Sequence, residues 1–200
     1  ELKLEPTKPN VRSEALASVR IFNARTHPDW EHFLGEPLGW QQRYGNGDQR
    51  SNGGQLRVRR ADTFVQEDSL RLLFSGDGRQ LNQWYWQAQA PKDLSGTLEE
   101  ESMLNFMIAV NSYPSDEITV RMDCVYPCSA AVSITKALKA FPLGDVRELA
   151  IPIRCFVENG LKVDRVDTPA LLVTTGALDV TISSVNIGAA SAISTKMACN

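Results

Sequence analysis

The feature that most constrains this chain is a series of short segments in which one face is apolar at every second residue. Leu104-Asn105-Phe106-Met107-Ile108-Ala109-Val110 has this period, as do Ile118-Thr119-Val120-Arg121-Met122-Asp123 and Leu178-Asp179-Val180-Thr181-Ile182-Ser183. Successive side chains of a strand point to opposite faces of a sheet, so this alternation is what a half-buried strand requires. Leu70-Arg71-Leu72-Leu73-Phe74 reads the same way. The stretch Gln80 to Ala90 places Trp84 and Trp86 on one face and Tyr85 and Gln87 on the other. Val19–Phe22, Leu56–Val58, Ser129–Thr135, Val146–Phe156 and Leu171–Thr174 complete the set. About ten strands, turn signals at roughly 8–12-residue spacing and almost no helix predict an all-β fold, an antiparallel β-sandwich.

The punctuation between these segments sets further expectations. Asp77-Gly78 stands between two strands, where it predicts a hairpin because type I′ turns need positive φ. Lys136 to Phe141 fits one or two helical turns, stopped by Pro142 and Gly144. Asn23 to Gly39 holds both histidines, Pro28 and Pro37, and reads as loop. Trp40 to Gln55 is polar, rich in glycine and long for a simple connection. Residues 1–18 mix charge with Pro6 and Pro9 and read as a connector from a preceding domain. Residues 19–188 form the sandwich, and residues 189–200, small and polar, are expected to fray. Glu1 in place of Met is expected of a piece of a longer protein.

A chain of 200 residues can bury one sizeable core without metal or disulfide. With 21 basic against 24 acidic residues, and a formal charge of −3, no basic face is left for phosphates, so nucleic acid is not an expected partner. No apolar run approaches the ~20 residues of a membrane span. Four cysteines are present. Cys124 and Cys128 have the spacing of a zinc half-site, but no second pair stands at ligand spacing. A disulfide across Val125-Tyr126-Pro127, fixing a turn, is the favoured reading, with two free thiols as the alternative. Cys155 occupies an inward strand position and reads as a small buried hydrophobe.

No Gly-x-Ser-x-Gly elbow, metal cage or phosphate loop stands between the strands. Glu99-Glu100-Glu101, Asp93 and Asp116-Glu117 supply carboxylates, but a glycosidase needs one kept protonated and one ionised at fixed separation. A charged triplet in a polar loop reads instead as solvated surface. His27 and His32 have no acidic partner at useful spacing. The segment from Trp40 is different. Sugars offer apolar C–H faces to aromatic rings and hydroxyls to polar groups. Trp40 and Tyr44 supply the rings, and Gln41, Gln42, Arg43, Asn46 and Asp48 the donors and acceptors, so these seven are the candidate substrate-binding residues. Trp84-Tyr85-Trp86 is a second candidate, with Trp84 and Trp86 read as core because they face the same way.

Several stretches carry a family resemblance. They are Ala61-Asp62 with Gln66-Glu67-Asp68, Leu70 to Gly76, Asp93-Leu94, Cys124 to Cys128, and Val132 to Thr135. Leu149 to Phe156 and Val185-Asn186-Ile187-Gly188 follow in the same order. Over roughly residues 20–188 the chain resembles the C-terminal domain of bacterial family 3 glycoside hydrolases of the exo-1,3/1,4-β-glucanase and β-glucosidase type. The resemblance implies a galactose-binding-like jelly roll that follows a catalytic barrel and an α/β domain, which carry the nucleophile and the acid/base. Neither is in this chain, so no catalytic residue carries over.

What it implies for function is a non-catalytic domain of a secreted or periplasmic glucan-degrading enzyme. Such a domain docks on the catalytic domains of its parent chain and lends the Trp40–Gln55 loop to a pocket for β-glucan or oligosaccharide. The alternative is an autonomous carbohydrate-binding module using Trp84, Tyr85 or Trp86 as a platform. No cofactor is expected beyond the one structural calcium such sandwiches often hold, and no Asp-x-Asp-x-Asp loop is present to bind it. The isolated chain is expected to lack glycosidase activity. Aryl-β-glucoside turnover by the purified protein, abolished by a single carboxylate substitution within it, would overturn that expectation.

Overall fold

The computed structural model describes residues 17–199. The described strands run β1 (Ala17–Asn23), β2 (Arg25–Thr26), β3 (Glu31–Glu36), β4 (Gly39–Arg43), β5 (Gln49–Arg50), β6 (Leu56–Ala61), β7 (Ser69–Ser75) and β8 (Asn82–Gln87). They continue β9 (Met103–Ser112), β10 (Ile118–Asp123), β11 (Ser129–Ser133), β12 (Val146–Pro152), β13 (Thr168–Thr174), β14 (Ala177–Gly188) and β15 (Thr195–Lys196). Two short helices, α1 (Thr135–Ala140) and α2 (Ile153–Glu158), interrupt them. One sheet has nine strands, in the order β15-β12-β9-β14-β7-β6-β5, with β1 also on β14 and β2 on β1. The other has six, in the order β11-β10-β13-β8-β3-β4. Every pairing is antiparallel except β12 with β15. The architecture is a nearly all-β sandwich.

The alternating runs bury the residues that the period selects. Leu104, Phe106, Ile108 and Val110 of β9 face Ile118, Val120 and Met122 of β10 across the interlayer, and all are buried. In β14 the inward set changes phase, from Leu178, Val180 and Ile182 to Val185 and Ile187. The change coincides with a register shift against β9 between Ile182 and Ser184. An extra residue in one strand moves all following side chains to the opposite parity, which a bulge accomplishes without losing the core face.

The structure departs from the sequence reading in several places. Asn23 to Gly39 is not all loop, because Glu31–Glu36 forms β3, with β8 on one side and β4 on the other. Its flanking prolines mark the ends of a strand rather than its absence. The Asp77-Gly78 pair does not close a hairpin, since β7 belongs to one sheet and β8 to the other. Gly76 serves a close approach instead, since a Cβ there would lie 2.1 Å from the Thr175 carbonyl oxygen, while Gly78 supplies a positive φ of +85°. The Val146–Phe156 strand stops at Pro152, which leads into α2.

Cys155 is buried as read, but it is joined to Cys199. The C-terminal segment is correspondingly tied down rather than frayed. The Ser191 hydroxyl donates to Glu148, the Met197 amide donates to the Ala150 carbonyl at 2.9 Å, and β15 pairs with β12. Cys124 and Cys128 are joined as well. Chain-entropy arguments assign about 4 kcal/mol to closing the 44-residue loop and about 2 kcal/mol to the short one.

His32 sits on the inward face of β3 in an aromatic box. Its ring lies 4.6 Å from Tyr44, 4.9 Å from Trp86 and 5.3 Å from Trp84. Burial, helped by the positive charge of Arg60, drives its pKa down to about 3, so the folded protein holds it neutral. The unfolded chain takes up a proton near pH 6.5 that the native state refuses. Stability from this site is therefore full above pH 6.5 and declines as pH falls toward 3, at up to about 1.4 kcal/mol per pH unit. Urea denaturation at pH 7 and pH 5 should show a smaller acid penalty for His32→Phe than for the wild type. Equal penalties would show that His32 does not set this slope.

Candidate functional site

The outward positions of the six-stranded sheet carry the candidate site. Cross-strand register aligns Arg43, Phe33, Tyr85, Leu171, Arg121 and Ala131 in one row across all six strands. Phe33, Tyr85 and Leu171, with Val173 beside them, form an apolar cluster separate from the interlayer core. The Tyr85 ring stacks on Phe33 at 5.4 Å, and its hydroxyl donates to the Trp40 carbonyl at 2.7 Å. Burial pushes the Tyr85 hydroxyl up to about 12, with Asp123 adding to the rise and Arg121 opposing it. It therefore remains a hydrogen-bond donor at any working pH.

Over Tyr85 and Leu171 of this cluster lies an open cleft of about 480 Å³. Trp40 on the edge strand β4 and Tyr126 in the β10–β11 turn both line it, 46% and 95% exposed respectively. β4 and β10 are four strand spacings apart, about 19 Å. Between the aromatics, Gln41 donates to Gln87 at 3.1 Å, and Gln87 in turn donates to Thr168 at 3.4 Å. Arg121 grips Asp123 through two bonds of 2.7 and 2.9 Å. Burial raises the Asp123 carboxyl above the usual carboxylate range; the Arg121 bonds oppose this and the nearby Asp167 adds to it. Gln83, Asp167 and Ser129 complete the polar lining. Among the described residues, no three His, Cys, Asp or Glu side chains come together to hold a metal ion.

The seven residues selected from sequence divide sharply. Trp40 and Gln41 line the cleft. Gln42 donates to the Arg50 carbonyl, and Arg43 pairs with Glu31 at 3.0 Å. Tyr44 is only 6% exposed, so it offers no stacking face; its ring packs on His32 and its hydroxyl donates to Gly47. Asn46 occupies a left-handed turn position, and Asp48 is held in a bidentate pair by Arg57. The long loop is in fact two edge strands, β4 on the six-stranded sheet and β5 on the nine-stranded one, with the turn between them crossing from one layer to the other. Gln83, Arg121, Asp123, Tyr126 and Asp167 escaped sequence reasoning as site residues. For Gln83, Arg121 and Asp123 the available signal was the polar half of an alternating strand, whereas Tyr126 and Asp167 lie outside the strands. The other sequence candidates lie elsewhere: Glu99, Glu100 and Glu101 are exposed, and Asp116 accepts a hydrogen bond from Thr175. Trp84 and Trp86 are fully buried in the interlayer, which removes them as a platform.

The family model for Exop_C, described as galactose-binding domain-like, matches residues 28–187. The chain belongs to the Exop_C family. No curated protein sequence matches it. Among solved structures it is similar to the extra C-terminal domain of an exo-1,3/1,4-β-glucanase (ExoP) from a Pseudoalteromonas species. The two are 15% identical with a TM-score of 0.76, over 91% of this chain and 99% of that one. Against the structure of that glucanase as a whole, the chain covers 22% of the length. Two carbohydrate-binding modules from Clostridium thermocellum share the fold. The family 30 module of the cellulosomal cellulase Cel9D-Cel44B is 20% identical with a TM-score of 0.56, over 86% of this chain and 96% of that one. A family 11 module, in complex with a β-1,3-1,4-mixed-linked tetrasaccharide, is 9% identical with a TM-score of 0.53, over the same shares.

Within this Exop_C domain, Tyr85 holds the edge strand β4 against the cleft floor. Tyr85→Phe removes one hydrogen bond and leaves the Trp40 carbonyl without that donor, so a loss of about 1 kcal/mol is expected in urea denaturation at neutral pH. A loss below a few tenths would show that the bond does not secure β4.

Proposed function

We propose that this Exop_C domain is a non-catalytic β-glucan-binding module that uses the cleft on its six-stranded sheet. The observation that carries the reading is the cleft itself, with exposed Trp40 and Tyr126 at its two sides and amide, guanidinium and carboxylate groups between them. Aromatic rings offer apolar faces to the C–H faces of sugars, and a few converging polar groups fix hydroxyl directions. The tetrasaccharide complex of the family 11 module supports mixed-linked β-glucan as the ligand class. Catalysis is not part of the reading. Both Asp123 oxygens are committed to Arg121, so it is not free to pass a proton to a leaving group.

The similarity to a domain of a longer glucanase favours a second role in the same protein. In it the module docks on the catalytic domains of a parent glycoside hydrolase and presents glucan to them. Two disulfides support a secreted or periplasmic location for such a parent.

Affinity electrophoresis in gels containing mixed-linkage β-glucan or laminarin tests the reading on the isolated protein. Wild type should be retarded, and Trp40→Ala and Tyr126→Ala should each weaken binding about two- to tenfold, the range of one aromatic contact. Unretarded wild type would leave docking as the module's role, and full retardation of both variants would remove the cleft as the binding surface.

A further inference from the structure

Tyr126 is 95% exposed, yet it lines the cleft. Hardly any side-chain packing holds the ring, so its place depends on the backbone of the turn that carries it. That turn has two anchors of different kinds. Cys124 is fully buried in the interlayer core, and its sulfur accepts a hydrogen bond from the Lys162 amide at 3.2 Å. Cys128, at the far end, lines the cleft. The disulfide joins them, alongside bonds from the Cys124 amide to the Cys128 carbonyl at 3.0 Å and from the Cys128 amide to the Val125 carbonyl at 3.2 Å. Val125 is held at φ +35°, a conformation that a branched residue adopts only under restraint.

We infer that the Cys124–Cys128 cross-link is a positioning device for glucan binding: it holds Tyr126 ready at one side of the cleft. The inference rests on the cleft being the binding site. Its basis is a comparison of the two disulfides. Cys155–Cys199 closes 44 residues and pins a C-terminal segment that contributes nothing to the cleft lining. Cys124–Cys128 closes four and restrains little of the unfolded chain, but every residue between its sulfurs belongs to the turn bearing Tyr126. An exposed aromatic that must be ordered on binding costs affinity, and a cross-link that orders it beforehand removes that cost.

Three variants test this, using oligosaccharides of mixed-linkage β-glucan as the probe in calorimetry. Cys124→Ala/Cys128→Ala should weaken binding about three- to tenfold, the range for one side chain ordered on binding. Cys155→Ala/Cys199→Ala should lower the melting temperature by more and leave affinity unchanged. On a Tyr126→Ala background, removing Cys124–Cys128 should cost no further affinity, because the group it positions is gone. A readout independent of ligand is the backbone order parameter of Tyr126. It should fall from about 0.85, typical of rigid backbone, to below about 0.6 when the cross-link is absent. Unchanged affinity in the Cys124/Cys128 variant, or an equal further loss on the Tyr126→Ala background, would overturn the inference. Oligosaccharide binding that is absent from the intact protein would overturn the cleft reading, and with it this inference. A rigid Tyr126 in the uncross-linked variant would overturn the positioning role by itself.

Discussion

Burial of Trp84 and Trp86 between the two sheets orients the whole six-stranded layer. Both indoles are fully removed from solvent, and their ring centroids lie 4.4 Å apart at 67°. At about 25 cal/mol per Å² and 150–250 Å² of surface, each favours this orientation of β8 by roughly 4–6 kcal/mol. Because side chains alternate, committing Trp84 and Trp86 inward commits Gln83, Tyr85 and Gln87 outward. The register with β3 and β13 then places Phe33 and Leu171 beside Tyr85, and Tyr85 with Leu171 floors the cleft.

The outer faces of the two sheets show why one of them is a candidate binding surface. On the nine-stranded sheet the outward polar groups satisfy one another: Arg71 bonds to Asp179, which also accepts from Asn111, while Asn111 donates to Thr181. On the six-stranded sheet Arg121 and Asp123 are similarly matched, but they stand at the margin of an apolar floor with exposed aromatics at the sides. A partly dry floor strengthens the hydrogen bonds made at its rim. The rigid strands beneath keep those groups in place, so little ordering remains for a ligand to impose.

The residues that were legible and those that were not differ in a physical way. Leu104, Phe106, Ile108 and their counterparts in β10 and β14 announced themselves because burial imposes a period on the local sequence. Strand β3 did not. It carries His32 and Glu36 at inward positions, where the period calls for apolar residues, and prolines bracket it. His32 is tolerated there only as a neutral ring among Tyr44, Trp84 and Trp86, partners that lie far away in sequence or in another strand. Tyr44 misled for the same reason: in a polar glycine-rich stretch it reads as exposed, and its burial comes from its place in the interlayer core against the His32 ring.

The sequence by itself determined which faces of the strands are apolar, and hence that two sheets must close over one core. It also carried the family likeness, spread over pieces that are weak singly. Only the tertiary structure decided which strands lie side by side. It sent β7 and β8 to different sheets despite the Asp-Gly between them, joined Cys155 to a cysteine 44 residues away, and gathered the cleft from β4, β8, β10, β13 and the Tyr126 turn. The physical reason is that periodicity is a local consequence of burial. Pairing and register instead depend on what the rest of the chain offers as a neighbour.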